Sequence, residues 1–380
     1  MVADANRRGY RHLIDAFWDE AQSFGLALPC DEPISAPALC KARQKLRPEL
    51  LRALLHQASD SFDEQFGADK RWHGRRVFAV DGSKVNLQRS EELAHEFGVP
   101  HGAHCPQVLV STLFDLVAKV PHDIVVAPHT SGERLEMMRM LDRLSPGDVL
   151  VLDRGYPSFE VMRILIDEGI DFVMRVPIKN SFSAIQELIY SGKDDCRTSM
   201  KPNKNSRMGD HAPIDVRVLR ILVPNSEPTI LLTSLRRSQF TRSQIAELYH
   251  MRWEVEEFYK LMKSDYLGQG QFHARSASGV EQEIHAVALY VAITRYLMAA
   301  AAEKHGTPYQ ELSPKSGTLG LAAYILRLML ACDADQAAPF LEQVLRRIIR
   351  TKDKARPGRR FPRRSFRPWR KWVPNGQRGG

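Results

Sequence analysis

Three acids in this sequence stand where a buried segment has little structural use for them. Asp81 follows the apolar run Val77–Val80 in "RRVFAVDGSKVNLQ", and Asp153 follows the apolar run in "DVLVLDRGY". The third, Glu256, belongs to a row of Tyr249, Arg252, Glu256 and Lys263 within "ELYHMRWEVEEFYKLMKS". At about 100° per residue these four fall within about 60° of one helical face. Leu248, Met251, Val255, Phe258 and Met262 fill the adjoining arc and can face a core. Three carboxylates drawn together repel one another, and divalent cations remove that cost. An oxygen-rich site of this kind suits two-metal phosphoryl transfer, in which one ion activates water or a 3′ hydroxyl and the other stabilises the leaving oxygen. Arg252 and Lys263, on the same strip as Glu256, would then hold phosphates of the scissile strand.

Plainer readings compete. Asp and Gly are turn formers, and Pro157 follows closely, so Asp153 can simply open a turn. The helical strip can be a solvated face laced by pairs such as Glu256 with Lys260. A merely wet face, however, needs neither Tyr249 nor Trp253.

For the acids to meet, particular elements must carry them. Residues 74–88 read as strand, turn, strand about Asp81-Gly82, and "CPQVLVSTLFDL" and "KVPHDIVVAPH" as two further strands. "SGERLEMMRMLDRL" predicts a helix capped by Ser131, "DVLVLDRGY" a strand, "SFEVMRILIDEG" a helix and "DFVMRVP" a strand. This is the order of an α/β sheet with helices on its faces. If the strands ending at Asp81 and Asp153 are parallel neighbours, both acids lie at one sheet edge, and a helix packed over it brings Glu256. The segment 178–240 is polar and loop-rich before the strands "IDVRVLRILVP" and "PTILLTSL". One helix is expected over "TRSQIAELYHMRWEVEEFYKLMKSDY", and helices dominate to about 350. Residues 8–28 and the stretch around Pro48 predict a helical head.

The formal net charge is +9, unevenly placed. Residues 351–380 hold eleven Lys or Arg against Asp353 alone, a balance of +10, which leaves the rest near −1. That tail interleaves Arg with Pro, Phe and Trp, a composition that is flexible and suited to gripping phosphates and stacking on bases. The five cysteines are scattered without zinc-site spacing, and an odd number argues against a disulfide framework. The start lacks the apolar core of a leader peptide, and the apolar stretches 284–302 and 319–332 carry charges expected of core helices. A reducing, cytoplasmic setting without membrane insertion is expected.

Taken in order, "VDGSKV" with Asp81, "LDRGYPSF" with Asp153, and Tyr249, Arg252, Glu256 and Lys263 at spacings of three, four and seven resemble the three signature regions of the IS4-type DDE transposases of bacterial insertion sequences. The resemblance covers about 74–300. It implies an α/β fold, an RNase H-like mixed sheet with flanking helices, a β-rich insertion, and helical N- and C-terminal parts. The corresponding divisions are a helical region 1–73, a catalytic domain in two parts at 74–177 and 241–300, an insertion at 178–240, helices at 301–350 and a basic tail at 351–380. It further implies Asp81, Asp153 and Glu256 as catalytic metal ligands for two Mg²⁺ ions, with Mn²⁺ as a substitute. Tyr249, Arg252 and Lys263 become contacts to DNA phosphates. The expected partners are double-stranded DNA, namely inverted-repeat transposon ends and target DNA, held by a homodimer. Hairpin-forming relatives are expected to stack a Trp from the insertion. This chain has Trp only at 18, 72, 253, 369 and 372, leaving Phe182 or Tyr190 as substitutes. A nuclease without strand transfer, or a silent DNA-binding regulator, would use the same fold.

Overall fold

The computed structural model describes residues 9–178, 182, 185–186, 188, 191–202, 211–222, 227–263 and 272–352. Its centre is an eight-stranded mixed sheet. The strands are β1 (Val77–Asn86), β2 (Gln107–Asp115), β3 (Val120–Pro128), β4 (Val149–Leu152), β5 (Asp171–Val176), β6 (Asp195–Met200), β7 (Ile214–Ile221) and β8 (Thr229–Thr233). Their spatial order is β3-β2-β1-β4-β5-β8-β7-β6. β4 pairs in parallel with both β1 and β5, while every other pairing is antiparallel.

Alternation along the central strands explains why their sequences read as nearly continuous apolar runs. Val77 and Ala79 of β1, Val149 and Val151 of β4, and Val173 of β5 enter one core. Phe78, Val80, Leu150, Leu152, Phe172 and Met174 enter the other. With a side-chain period of two, a sheet covered on both faces must be apolar at every position.

Helices supply the covers. Over the first face lie α3 (Pro48–Phe66) and the 29-residue helix α9 (Ala277–His305), together with α7 (Arg242–His250) and α8 (Trp253–Leu261). Over the second lie α5 (Glu133–Met138) and α6 (Phe159–Asp167). Further α-helices among the described residues include α1 (Tyr10–Ser23), α2 (Ala36–Arg43), α4 (Glu91–Phe97), α10 (Pro314–Ala322), α11 (Ile325–Leu330) and α12 (Ala334–Arg350). By length and composition α9 could cross a membrane, yet 67% of its most apolar window is buried in the fold. It is the helix around which the first core forms. A buried carboxylate ties α3 to β3: Asp123 accepts from Arg52 Nε at 2.8 Å and Nη2 at 2.6 Å, with His56 Nε2 at 2.7 Å. All five cysteines are free thiols.

Several expectations need correction. β1 does not turn at Asp81-Gly82. It continues to Asn86, because β2 offers an unbroken antiparallel ladder that includes Asp81↔Thr112 and Gly82↔Ser111. α5 starts at Glu133 without a side-chain cap, and Ser131 instead gives its hydroxyl to Glu136. Of the single helix expected over 241–266, the described part, to residue 263, holds two helices joined at Met251–Arg252 by tighter bonds such as Arg252 N–H to the Tyr249 carbonyl at 3.2 Å, and residues 264–266 lie outside the described residues. Within the polar, loop-rich segment, "DCRTSM" is a strand, and β6, β7 and β8 extend the central sheet beyond β5. As an edge strand with a wet face, β6 lacks the apolar signal of the interior strands.

Candidate functional site

Register places the two aspartates. The parallel ladder pairs Val77 with Val149 and Ala79 with Val151, so the next same-face positions are Asp81 and Asp153. Both share the parity of the first core, the face that α8 covers. β4 has ended at Leu152, while β1 runs on against β2 alone. The two acids therefore stand where the sheet's parallel interior opens.

The turn reading of Asp153 holds for its backbone, since its carbonyl accepts the Tyr156 N–H at 3.1 Å. Its carboxylate does something else: Oδ1 accepts from the Tyr249 hydroxyl at 3.2 Å. Arg134 pins the same loop, donating from Nε to the Gly155 carbonyl at 2.9 Å and from Nη2 to that of Pro157 at 3.2 Å.

α7 and α8 are fixed over this opening from several sides. Thr241 and Gln244 form a reciprocal capping box that starts α7. Glu254 pairs with Lys119 of the β2–β3 turn at 2.8 Å, and Phe258 lies 5.4 Å from Phe114, centre to centre. Tyr259, 5% exposed, shares its hydroxyl between the carbonyls of Asp81 at 2.7 Å and Val110 at 2.9 Å. This bolts α8 to the strand carrying the first acid. The predicted inner arc is in place, with Leu248, Val255, Phe258 and Met262 buried and Met251 packed against them.

Arg252 sits between acids. Its Nη2 donates to Glu256 Oε1 at 2.5 Å, and its Nη1 is 3.9 Å from Asp81 Oδ2. The side chain is 10% exposed, and its Nε–H has no acceptor. A buried spare donor facing acids is an unstable arrangement unless another acceptor joins it. Lys263 donates from Nζ to Ser83 Oγ at 2.6 Å and to the Lys84 carbonyl at 3.1 Å, two and three residues beyond Asp81. All six sequence-predicted residues thus gather around one strand-end opening.

Burial pushes the Asp81 carboxyl up to about 6, against the pull of Arg252 and of the Gly82 N–H, with Glu133 and Glu256 adding to the rise. Tyr249 is pushed up to about 12 by burial first and by Asp153 second. Burial also lowers Lys263, opposed by Asp81. Burial is the leading cause in all three, so the opening is short of solvent around Asp81, Tyr249 and Lys263. Among the described residues, no three acids or other ligating groups come together closely enough to cage an ion as they stand. Arg252 supplies the positive charge between Asp81 and Glu256.

Glu133, Tyr156 and Tyr259 were not anticipated from the sequence as members of this site. Tyr259 carried a faint signal, being a tyrosine on the apolar face of a helix whose hydroxyl needs a buried partner. Phe182, proposed as a stacking residue, packs against the second core, and Tyr190, Trp369 and Trp372 lie outside the described residues. Trp18 is buried, Trp72 stacks on Phe240 at 4.7 Å, and Trp253 is 40% exposed beside Arg252. Most of the basic tail also lies outside the described residues.

A central mixed sheet with flanking helices, whose first strand pairs in parallel with the fourth, fits the RNase H-like architecture of DDE-type transposases. The family described as "Transposase DDE domain" matches residues 72–293, more than half of the chain, and this protein belongs to that family. It is 22% identical over 290 residues to transposase InsG of insertion sequence element IS4 from Escherichia coli (strain K12), covering 73% of this chain and 64% of that relative. The chain thus spans somewhat less than two thirds of InsG. Similarity to the putative transposase InsZ of the same organism is 24% over 162 residues, or 41% and 54% of the two chains. Among solved structures, the piggyBac transposase synaptic complex with hairpin DNA aligns with a TM-score of 0.42 and 10% identity, over 70% of this chain and 57% of that one.

Proposed function

We propose that this protein is a divalent-metal-dependent DNA transposase that cleaves and joins strands at insertion-sequence ends. The observation that carries the reading is the register Val77↔Val149 to Ala79↔Val151, which leads Asp81 and Asp153 to one opening under the helix bearing Glu256.

The donor set is all carboxylate oxygen, which fits a hard cation such as Mg²⁺, with Mn²⁺ as a substitute. Asp81, Asp153 and Glu256 would hold two ions. Bound there, the ions would supply activation of water or a 3′ hydroxyl and stabilisation of the leaving oxygen. The spare Nε–H of Arg252 supports the same reading, because an incoming phosphate oxygen would give it an acceptor. In this assignment Arg252 exchanges part of its pairing with Glu256 for the scissile strand, Lys263 leaves Ser83 for a neighbouring phosphate, and Tyr249 orients Asp153 while its ring flanks the strand end. The basic tail adds contacts along the duplex, and a homodimer brings two ends together.

A gel assay with labelled element-end DNA and Mg²⁺ or Mn²⁺, scoring bound, nicked and joined species separately, tests the proposal. Joined products with a target duplex are expected. Nicking without joining would make the protein a nuclease, and binding without nicking a regulator. Arg252→Ala and Lys263→Ala should weaken engagement of the strand end and slow cleavage through misplacement, where about 1 Å can cost 10²-fold.

A further inference from the structure

A buried arginine on the outer part of the sheet holds the start of the helix that leads into the opening. Arg217 of β7 is 3% exposed. It pairs with Thr233, which pairs in turn with Val173 of the first core, so its side chain lies on the first face. Three strand spacings of about 4.8 Å, roughly 14 Å, separate β7 from β4 and its Asp153 end. Arg217 Nε and Nη2 donate to the two carboxylate oxygens of Asp195, on the edge strand β6, at 2.9 and 2.8 Å. Its Nη1 donates to the Phe240 carbonyl at 2.7 Å. One planar fork thus ties β6, β7 and the turn into α7.

Joining two neighbouring strands does not require a buried ion pair, since apolar residues of similar volume commonly do as well. What the fork adds is direction, because its donors are fixed in one plane. The residue it directs is a hub. Trp72 stacks on the Phe240 ring at 4.7 Å, and the Arg75 guanidinium lies 5.6 Å from the ring centre. The next residue, Thr241, caps α7, and Gln244 of the same capping box meets His73 Nε2 at 3.1 Å. From that cap a helix rises about 1.5 Å per residue, which puts Tyr249 roughly 12 Å further along, with Arg252 just beyond it. A shift at the cap is carried along the helix to both.

We propose that Arg217 is a positioning residue for the strand-end site: it fixes the start of α7, and through it the places of Tyr249 and Arg252. The inference rests on the strand-cleavage reading above. The competing role is local, an ion pair that only holds β6 against β7.

Two variants of the full chain separate these roles, studied where calorimetry finds each protein folded. Arg217→Met fills similar space without donors and loses both partners. Asp195→Asn keeps an acceptor for the fork and leaves the Phe240 bond intact. Amide hydrogen exchange of the DNA-free proteins reads the helix, and single-turnover nicking of a labelled element-end duplex with Mn²⁺ reads the consequence. Arg217→Met should quicken exchange in peptides spanning 241–255 and slow nicking of bound DNA by about 10²-fold, the cost of about 1 Å of misplacement, with DNA affinity little changed. Asp195→Asn should quicken exchange in β6 while α7 and nicking stay near wild type. Arg217→Met changes confined to β6 and β7, or equal effects of the two variants on α7 and nicking, would overturn the proposal. If the wild type does not nick, the cleavage reading fails by itself, and exchange in α7 still decides whether Arg217 fixes that helix. Should Arg217→Met fail to fold, Arg217→Lys, which keeps a cation beside Asp195 but lacks the fork, is read in the same way.

Discussion

Replacing Asp81 by Asn should stabilise the metal-free, DNA-free protein at pH 8 and leave it nearly unchanged at pH 4 or below. The carboxyl rises from 3.8 to about 6 in the fold, chiefly through burial, with its side chain only 21% exposed. A raised folded value means that the folded state binds the proton more tightly than the unfolded chain. The associated stability is complete below about 4 and is lost as pH climbs through 6. Above that window the ionised acid costs roughly 3 kcal/mol, at about 1.36 kcal/mol per pH unit. Asn resembles the protonated acid and escapes this cost. With an unfolding entropy of about 2.1 cal/mol/K per residue, the gain at pH 8 corresponds to roughly 4 °C in melting temperature. Scanning calorimetry of both proteins at pH 4 and pH 8 in chelator measures it. Equal melting temperatures at pH 8, or the same difference at both pH values, would show that burial does not strain this acid. The expected outcome is a protein that is more stable and less active, since strain at a functional site is relieved along with the function.

Glu256→Gln keeps size and helix, so end-DNA binding should be nearly retained while cleavage falls by several orders of magnitude; normal nicking beside an active wild type would refute its assignment as a metal ligand. Asp123→Asn breaks the pairing of a fully buried carboxylate with the part-exposed Arg52 and His56 and should cost about 2–3 kcal/mol at pH 7 in denaturant titrations, below the about 3–5 kcal/mol of a wholly buried pair. Because those partners hold Asp123 well below the usual carboxylate range, its contribution is present above about 4 and fades as pH falls, so the two proteins should converge in acid. Truncation after residue 350 should weaken DNA binding and flatten its salt dependence, by about 0.9 in the log–log slope for each phosphate the protein no longer neutralises. An unchanged slope would mark the tail as a passenger.

The sequence by itself singled out the residues proposed for the chemistry and the apolar strands that lead to two of them. Apolar runs ahead of Asp81 and Asp153 identify strands buried on both faces, and the three-four-seven spacing from Tyr249 to Lys263 survives even though the helix divides at Met251–Arg252. Those signals are local, set by side-chain period and burial along one segment. Pairing is not local. That β1 runs past Asp81 depends on β2 lying beside it, and that β6, β7 and β8 join the central sheet depends on β8 reaching β5. Only the tertiary structure put Arg252 between Asp81 and Glu256, because an arginine's partner is decided by the groups packed within a few ångströms of it and not by its neighbours along the chain. Glu133 was invisible for the same reason. Nothing in "SGERLEMM" distinguishes it from an ordinary acid at a helix start, until α5 packs on the second face and the missing side chain of Gly82 lets its carboxylate through to the strand ends.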